Sequence, residues 1–345
     1  MPRVTQPQLG RQWRGRLDDY VTAIAWSPNS RQVAAGDGTG TVQCLNRVTQ
    51  QTHCLQTGTG QSVDALAYSH DSRFLAAGGQ DGHVSIWEMN GEVPVLITRL
   101  DHPRTWVDQL VWHPQRLELV FSLGRYAQVW SAETQQVLTT LAFESSSVLD
   151  LAWHPQRDWL AVGGHQGVKI WQDWDQDPSI REIPGSSICI SWSPDGQYLA
   201  AGNLDSTLIV WPWDQEMPWR MTGFPGKVRQ LAWSVVDAVP LLSAASGSCV
   251  TTWQRQGDGW AAELLDEHTQ VVNAIAFRPN STLLASVAGD GYLCLWQGGH
   301  KLVQSQKGIS GSVLAWSPDG QTLAIGGEQG EWQLWTPSSR GQGFR

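Results

Sequence analysis

Nine histidines, five cysteines and 32 Asp and Glu residues are the material for chemistry in this 345-residue chain. Their spacing limits what they can do. Asp173-x-Asp175-x-Asp177 has the spacing that opens a calcium loop, in which alternate side chains converge on one cation. Pro178 follows where Gly is wanted and no Glu stands at the twelfth position, so a solvated acidic turn is the plainer reading. His113 and His154 sit in matching Trp-His-Pro turns that could be neighbours. A metal pair needs at least one more ligand, and none is visible nearby. The cysteines, at 44, 54, 189, 249 and 294, form no C-x-x-C, which leaves buried free thiols rather than a zinc site or a disulfide framework. No G-x-S-x-G, H-E-x-x-H or phosphate loop occurs. No catalytic, cofactor-binding or metal residue is therefore expected, and no cofactor.

The elements that must carry these residues are repeats. An apolar run ending in an aromatic residue occurs eight times, at Trp26, Tyr68, Trp112, Trp153, Trp192, Trp233, Phe277 and Trp316. In six copies Ser-Pro, His-Pro or Arg-Pro follows, which stops a strand and starts a turn. A second anchor closes each copy, at Leu45, Trp87, Trp130, Trp171, Trp211, Trp253, Trp296 and Trp335, spaced 39 to 43 residues apart. That period is the one of four-stranded propeller blades. The residue before the first aromatic is small in every copy but one, Val111, which predicts close approach between neighbouring sheets. The ten to fifteen residues between copies leave room for an outer strand, as at Val95 to Leu100 or Val137 to Leu141.

The Trp192-Ser-Pro-Asp-Gly196 and Trp316-Ser-Pro-Asp-Gly320 turns, and the L-A-A-G-x-x-D-x-x-x-x-x-W run of Leu199 to Trp211, resemble the WD-repeat family. The resemblance covers roughly residues 10 to 336. It implies an all-β, eight-bladed propeller of four-stranded antiparallel blades, with seven blades as the alternative. The Asp that gives the family its name is absent after every final anchor. The family's buried hydrogen-bond set can be assembled once, from His268, Ser286, Asp290 and Trp296. Asp81 and Asp205 keep the turn Asp but have no aligned His.

In chain order, residues 1–8 read as a disordered arm, 9–336 as the propeller and 337–345 as a tail. Residues 9–17 sit where an outer strand belongs, yet no blade precedes them. They are expected to complete the last blade as a latch, hiding the strand edges of an open ring. Copies three and four each lose a residue in the second turn, and copy six, lacking the Pro turn, is expected to have a longer connection at Val235 to Pro240.

The formal charge of −9 opposes nucleic acid and anionic membrane as partners. The N-terminus has no apolar signal region and no stretch reaches spanning length, which together suggest a cytoplasmic protein. The 21 Trp are the unusual feature: thirteen occupy anchor positions, and Trp13, Trp106, Trp174, Trp213, Trp219 and Trp260 fall in loops or outer strands. Partial burial against neighbouring blades would explain them; a partner surface would too, since Trp, Tyr and Arg anchor interfaces.

The resemblance places the outer-to-inner connections and the second turns on one face. There the sequence puts Tyr20, Trp106, Asp108, Arg125, Tyr126 and His165, the expected protein-binding set. The expected function is a non-enzymatic scaffold or adaptor, itself monomeric, that binds proteins through this face. The alternative is a ligand-binding, metal-binding or enzymatic propeller using the channel mouth, where Asp64, Asp108 and Arg229 could converge.

Overall fold

Each apolar run ending in an aromatic residue forms the innermost strand of an antiparallel meander, and the alternation along it sends side chains into the gaps on either side. The computed structural model describes residues 8–215, 217–236 and 238–338. The arm at 1–8 and the tail at 337–345 lie outside the described residues except for Gln8, Pro337 and Ser338. Every regular element described is a strand.

The strands form seven hydrogen-bonded sheets, six of four strands and one of six. Seven was the alternative to eight separate blades, and the pairing shows how it arises. All eight copies are in register, but copies four and five are fused. Strand Leu160–Trp171 supplies both the second and third strands of copy four. Strand Ser179–Trp192 is the outer strand of copy four over its first half and the inner strand of copy five over its second. These two mergers leave thirty strands rather than about 32. Inner strands follow one another around the axis from Val21–Trp26 to Gly311–Trp316, which packs back on Val21–Trp26.

The latch closes this ring. Strand Leu9–Arg16 pairs with Glu331–Pro337, from Leu9↔Pro337 to Arg16↔Glu331, with a bulge between Arg11 and Trp13. The bulge turns Trp13 edge-on to Trp332 at 4.5 Å. The Gln304 side-chain amide grips Leu9 from the neighbouring sheet, accepting from its N–H at 2.8 Å and donating to its carbonyl at 2.9 Å.

Cores form between copies, not within them. Ala232, Leu241 and Val250 of copy six pack with Leu284, Cys294 and Trp296 of copy seven. The small residue before the aromatic has a second role beyond close approach: its carbonyl accepts a bond from the indole of the next copy. Trp26 Nε1 donates to Ala315 O at 3.0 Å, Trp112 to Ala67 O at 3.1 Å, Trp233 to Ser191 O at 3.2 Å and Trp316 to Ala276 O at 3.2 Å. Two indole nitrogens at this position have no partner: Trp153, which faces the copy carrying Val111, and Trp192, which faces the copy carrying Ala152.

Copy six departs from expectation. Its first hairpin has no long connection: the ladder runs on from Gln230↔Ala245 to Val236↔Val239, and Ala238 takes a φ of +61°. Val235 stands where most copies have the turn proline, so the first strand runs on and pairs as far as Val239, with Pro240 opposite Val235. Copy six also shares the shortened second turn, Ser246 pairing with Cys249 across Gly247-Ser248.

Candidate protein-interaction site

The second turn of each copy lies beside the connection that leads into its inner strand, because both leave the sheet at the same end. In copy one, Gly38 N donates to Tyr20 O at 3.0 Å. In copy three the turn is only Gly124-Arg125, closed by Leu123↔Tyr126. A two-residue turn at that place requires a positive φ, and Gly124 has +57°.

The shortened turn leaves a concavity of about 600 Å³. Arg104, Trp106 and Asp108 of the inner-strand connection line it together with Arg125, Tyr126, Ser147 and Val148. Trp106 is 59% and Tyr126 50% exposed, so both rings present most of a face to solvent. Two backbone bonds hold the frame: Val148 N to Gly124 O at 2.7 Å and Phe143 N to Arg125 O at 2.9 Å. Enclosure raises the Asp108 pKa above the ordinary carboxylate range, and the Asp64 carboxylate raises it further.

Four of the six residues expected at the binding face are thus brought together: Trp106, Asp108, Arg125 and Tyr126. His165 lines an adjacent concavity of about 680 Å³, with Phe143, Lys169, Ile180 and Pro184. Its backbone N–H donates to Ser146 Oγ at 2.9 Å, and its Nδ1 lies 3.2 Å from Ser186 Oγ. Tyr20 is not part of this set. It stands at the seam of copies eight and one, where burial and then the Glu328 carboxylate raise its pKa. Membership of one face does not place residues at one point on it, since the face runs all the way round the ring.

The channel-mouth residues divide as well. Asp64 and Asp108 are close enough to act on one another, and the Asp64 pKa is raised by burial against hydrogen bonds from Ser62 and Gln80. Arg229 belongs to copy six, and no ion pair among the described residues joins it to either carboxylate. Asp150 was missed from the sequence. It accepts from Ile190 N at 2.7 Å and Leu151 N at 2.8 Å across two copies, and burial lifts its pKa to about 7. It sits one residue beyond Leu149, the position aligned with Asp64 and Asp108, and so escaped comparison.

The histidine turns use their ring nitrogens structurally. His113 Nδ1 accepts from Gln115 N and Arg116 N at 3.0 Å, while Nε2 meets Asp158 at 3.0 Å. His154 Nδ1 accepts from Gln156 N and Arg157 N at 3.1 Å, and Nε2 donates to Gly196 O at 3.2 Å. In other copies Ser69 and Ser193 donate to Asp71 and Asp195 and accept from Phe74 N and Tyr198 N, whereas each imidazole accepts directly from two N–H groups of its turn and also reaches the next copy. Asp173 caps its own turn, Oδ1 accepting from Asp175 N at 3.1 Å. No group of three or more His, Cys, Asp or Glu among the described residues is placed to hold a metal ion.

In copy seven the four polar residues meet. His268 Nε2 lies 2.8 Å from Ser286 Oγ, Trp296 Nε1 donates to the same oxygen at 3.0 Å, and His268 Nδ1 lies 3.1 Å from Asp290 Oδ2. Burial alone would raise the Asp290 pKa, but the N–H groups of Thr269 and Tyr292, with His268, hold it below the ordinary value. Copy one solves the same problem with Asp37, whose carboxylate accepts from the N–H groups of Asp18, Asp19, Thr39 and Thr41. Asp81 and Asp205 turn to outer-strand arginines, Arg99 at 3.6 Å and Arg220 at 3.7 Å.

The family profile for "WD domain, G-beta repeat" matches residues 8–44, 51–88, 135–172, 178–212 and 262–297, more than half of the chain. The chain belongs to the WD-repeat family. Each matched unit starts with the outer strand of one copy and ends with the third strand of the next, so the latch strand is the natural start of the first WD unit. The chain is 26% identical over 148 residues to the human F-box-like/WD repeat-containing protein TBL1Y, covering 38% of this chain and 28% of that protein. It is 28% identical over 127 residues to pre-mRNA-processing factor 19 homolog 2 of Arabidopsis thaliana, covering 35% and 24%. These matches span about a quarter of the relatives' length.

The fold is close to that of Sqt1 from Chaetomium thermophilum, with a TM-score of 0.80 at 15% identity over 94% of this WD-repeat chain and 96% of that one. Sqt1 bound to the N-terminus of the ribosomal protein L10 superposes with a TM-score of 0.79 at 15% identity, over 92% and 97%.

Proposed function

We propose that this WD-repeat protein is a non-enzymatic scaffold that binds partner proteins through the loops of one face, centred on copies three and four. The observation that carries the reading is the pair Trp106 and Tyr126, both half-exposed and lining one concavity, in a chain that buries most of its anchor tryptophans. Exposed aromatics around a dent are what a binding hot spot needs. The ring behind them is held by interlocking cores, so the loops offer a preformed surface. That Sqt1 has been captured with a segment of another protein is in keeping with this use of the fold.

The partner class is protein rather than nucleic acid, because a charge of −9 opposes the phosphate backbone. The five free cysteines, three of them buried, suit a reducing compartment such as the cytoplasm. The ring acts as a single copy in this reading.

A photo-crosslinking residue at position 126, compared with one at position 213 away from this face, tests the site in the native host. Protein adducts from 126, absent from 213 and lost on Trp106→Ala, are the expected result. Equal adducts from both positions, or none from 126, would overturn the reading.

A further inference from the structure

We propose that the concavities of copies three and four form one groove for an extended segment of a partner protein, rich in apolar residues and carrying Asp or Glu. The inference rests on the scaffold reading and gives the partner its chemistry.

The groove originates in the shortened second turns. In copy three the turn is Gly124-Arg125. In copy four the chain passes from second to third strand through Gln166, at φ +68°, and Gly167, at +135°. A full-length turn would stand where each concavity now lies. Copy six has the same shortening, and there Pro225 lies over Gly247 while Phe224 packs on Trp253 at 5.5 Å between ring centres. The two dents lie on either side of one segment, Phe143 to Val148, so a single extended chain crossing Ser145–Ser147 would reach both.

The walls choose the occupant. Trp106, Tyr126 and Val148 line one dent, and Ile180 and Pro184 the other. Ile180 is 53% exposed, apolar surface that a bound side chain would cover. The charges are not balanced. Glu144 is taken by Lys169 at 3.6 Å. Arg125 makes one weak contact, from Nη1 to Glu144 O at 3.5 Å, and Arg104 is exposed beside it in the lining. Neither guanidinium has a carboxylate partner among the described ion pairs. Asp108 is the one carboxylate in the lining of the copy-three dent. In the copy-three dent the two arginines outnumber Asp108, so an acidic side chain of the occupant belongs there; in the copy-four dent Lys169 faces both Glu144 and Glu182. Distant carboxylates are screened beyond about 8 Å at physiological salt, so the local arginines decide the complement. Arginine also favours planar, two-point pairing with carboxylate.

The test uses the purified full-length protein and two degenerate fluorescent peptide pools. One alternates Asp or Glu with Leu or Phe; the other has Lys or Arg in the charged places. Binding of the acidic pool, weakened roughly tenfold or more by the double variant Arg104→Glu, Arg125→Glu and unchanged by Arg31→Glu, is the expected result. Both arginines are exposed, and an unchanged melting curve checks that the variant folds. Preference for the basic pool, or acidic binding that ignores the double variant, overturns the groove's chemistry and leaves the scaffold reading standing. Binding of neither pool overturns the groove as a peptide site, and the crosslinks from position 126 then judge the scaffold reading separately.

Discussion

At the scale of single residues, polar groups buried between copies act as fasteners. Ser286 serves two partners at once, the His268 imidazole and the Trp296 indole. Ser286→Ala therefore strands two buried groups rather than one. Each unsatisfied partner costs about 1–3 kcal/mol, so thermal or urea unfolding should show a loss of roughly 2–4 kcal/mol. An unchanged midpoint would mean that tryptophan packing alone holds copy seven. Asp150 predicts a pH effect. Its folded pKa, about 7, lies above the ordinary carboxylate value, so its contribution to stability is complete below about pH 4 and is lost as pH rises towards 7. The melting temperature should fall between about pH 4 and pH 7, and Asp150→Asn should flatten that fall. Asp64 and Asp108 shift in the same direction, so some slope should remain. A slope identical in the variant would show that Asp150 stays ionised throughout.

At the scale of elements, the latch strand has its tightest point at Gly15. A Cβ there would lie 2.2 Å from the Trp13 ring and 2.6 Å from Trp332 Nε1. Gly15→Ala must push one ring aside, at a cost of about 1–3 kcal/mol typical of overpacking. Its unfolding midpoint should drop, and removal of residues 1 to 17 should drop it further, because the edge of Glu331–Pro337 is then bare. A truncated protein that melts like the parent would show the ring closing without its latch. Fused copies four and five show what periodicity leaves out. The anchor spacing locates both copies, but only the absence of a break at Pro184-Gly185 makes one strand of Ser179–Trp192. A proline in a run usually ends a strand; here it sits where an outer strand turns into an inner one and need not donate.

At the scale of the whole molecule, the fold was readable because each copy repeats the same physical solution. An aromatic anchor, a small neighbour, a turn and a second anchor fix the sheet without reference to distant residues. The latch was readable from an outer strand with no blade before it. The interaction site was readable only in part. Trp106, Asp108, Arg125 and Tyr126 lie in two consecutive connections of one copy, and local spacing brings them together. Tyr20 shares their position in the repeat but lies at another point on the ring. The copy-six turn is not legible in the sequence because the loss of the turn proline is compatible with a longer loop as well as with the two longer strands that form. Asp37 was hidden because it stands two residues before the place where the turn Asp is expected.

Since Leu9 lies opposite Pro337 and Ser338 N bonds to Gln8 O at 2.8 Å, the first and last described residues leave the ring side by side. Counted along the inner strands, copy eight stands four places from copy four in either direction. Any domain or label joined to either end would therefore sprout from a common seam on the far rim, tethered well clear of Trp106 and Tyr126. The same geometry makes those two ends a natural pair for re-joining by a short linker and reopening the chain elsewhere.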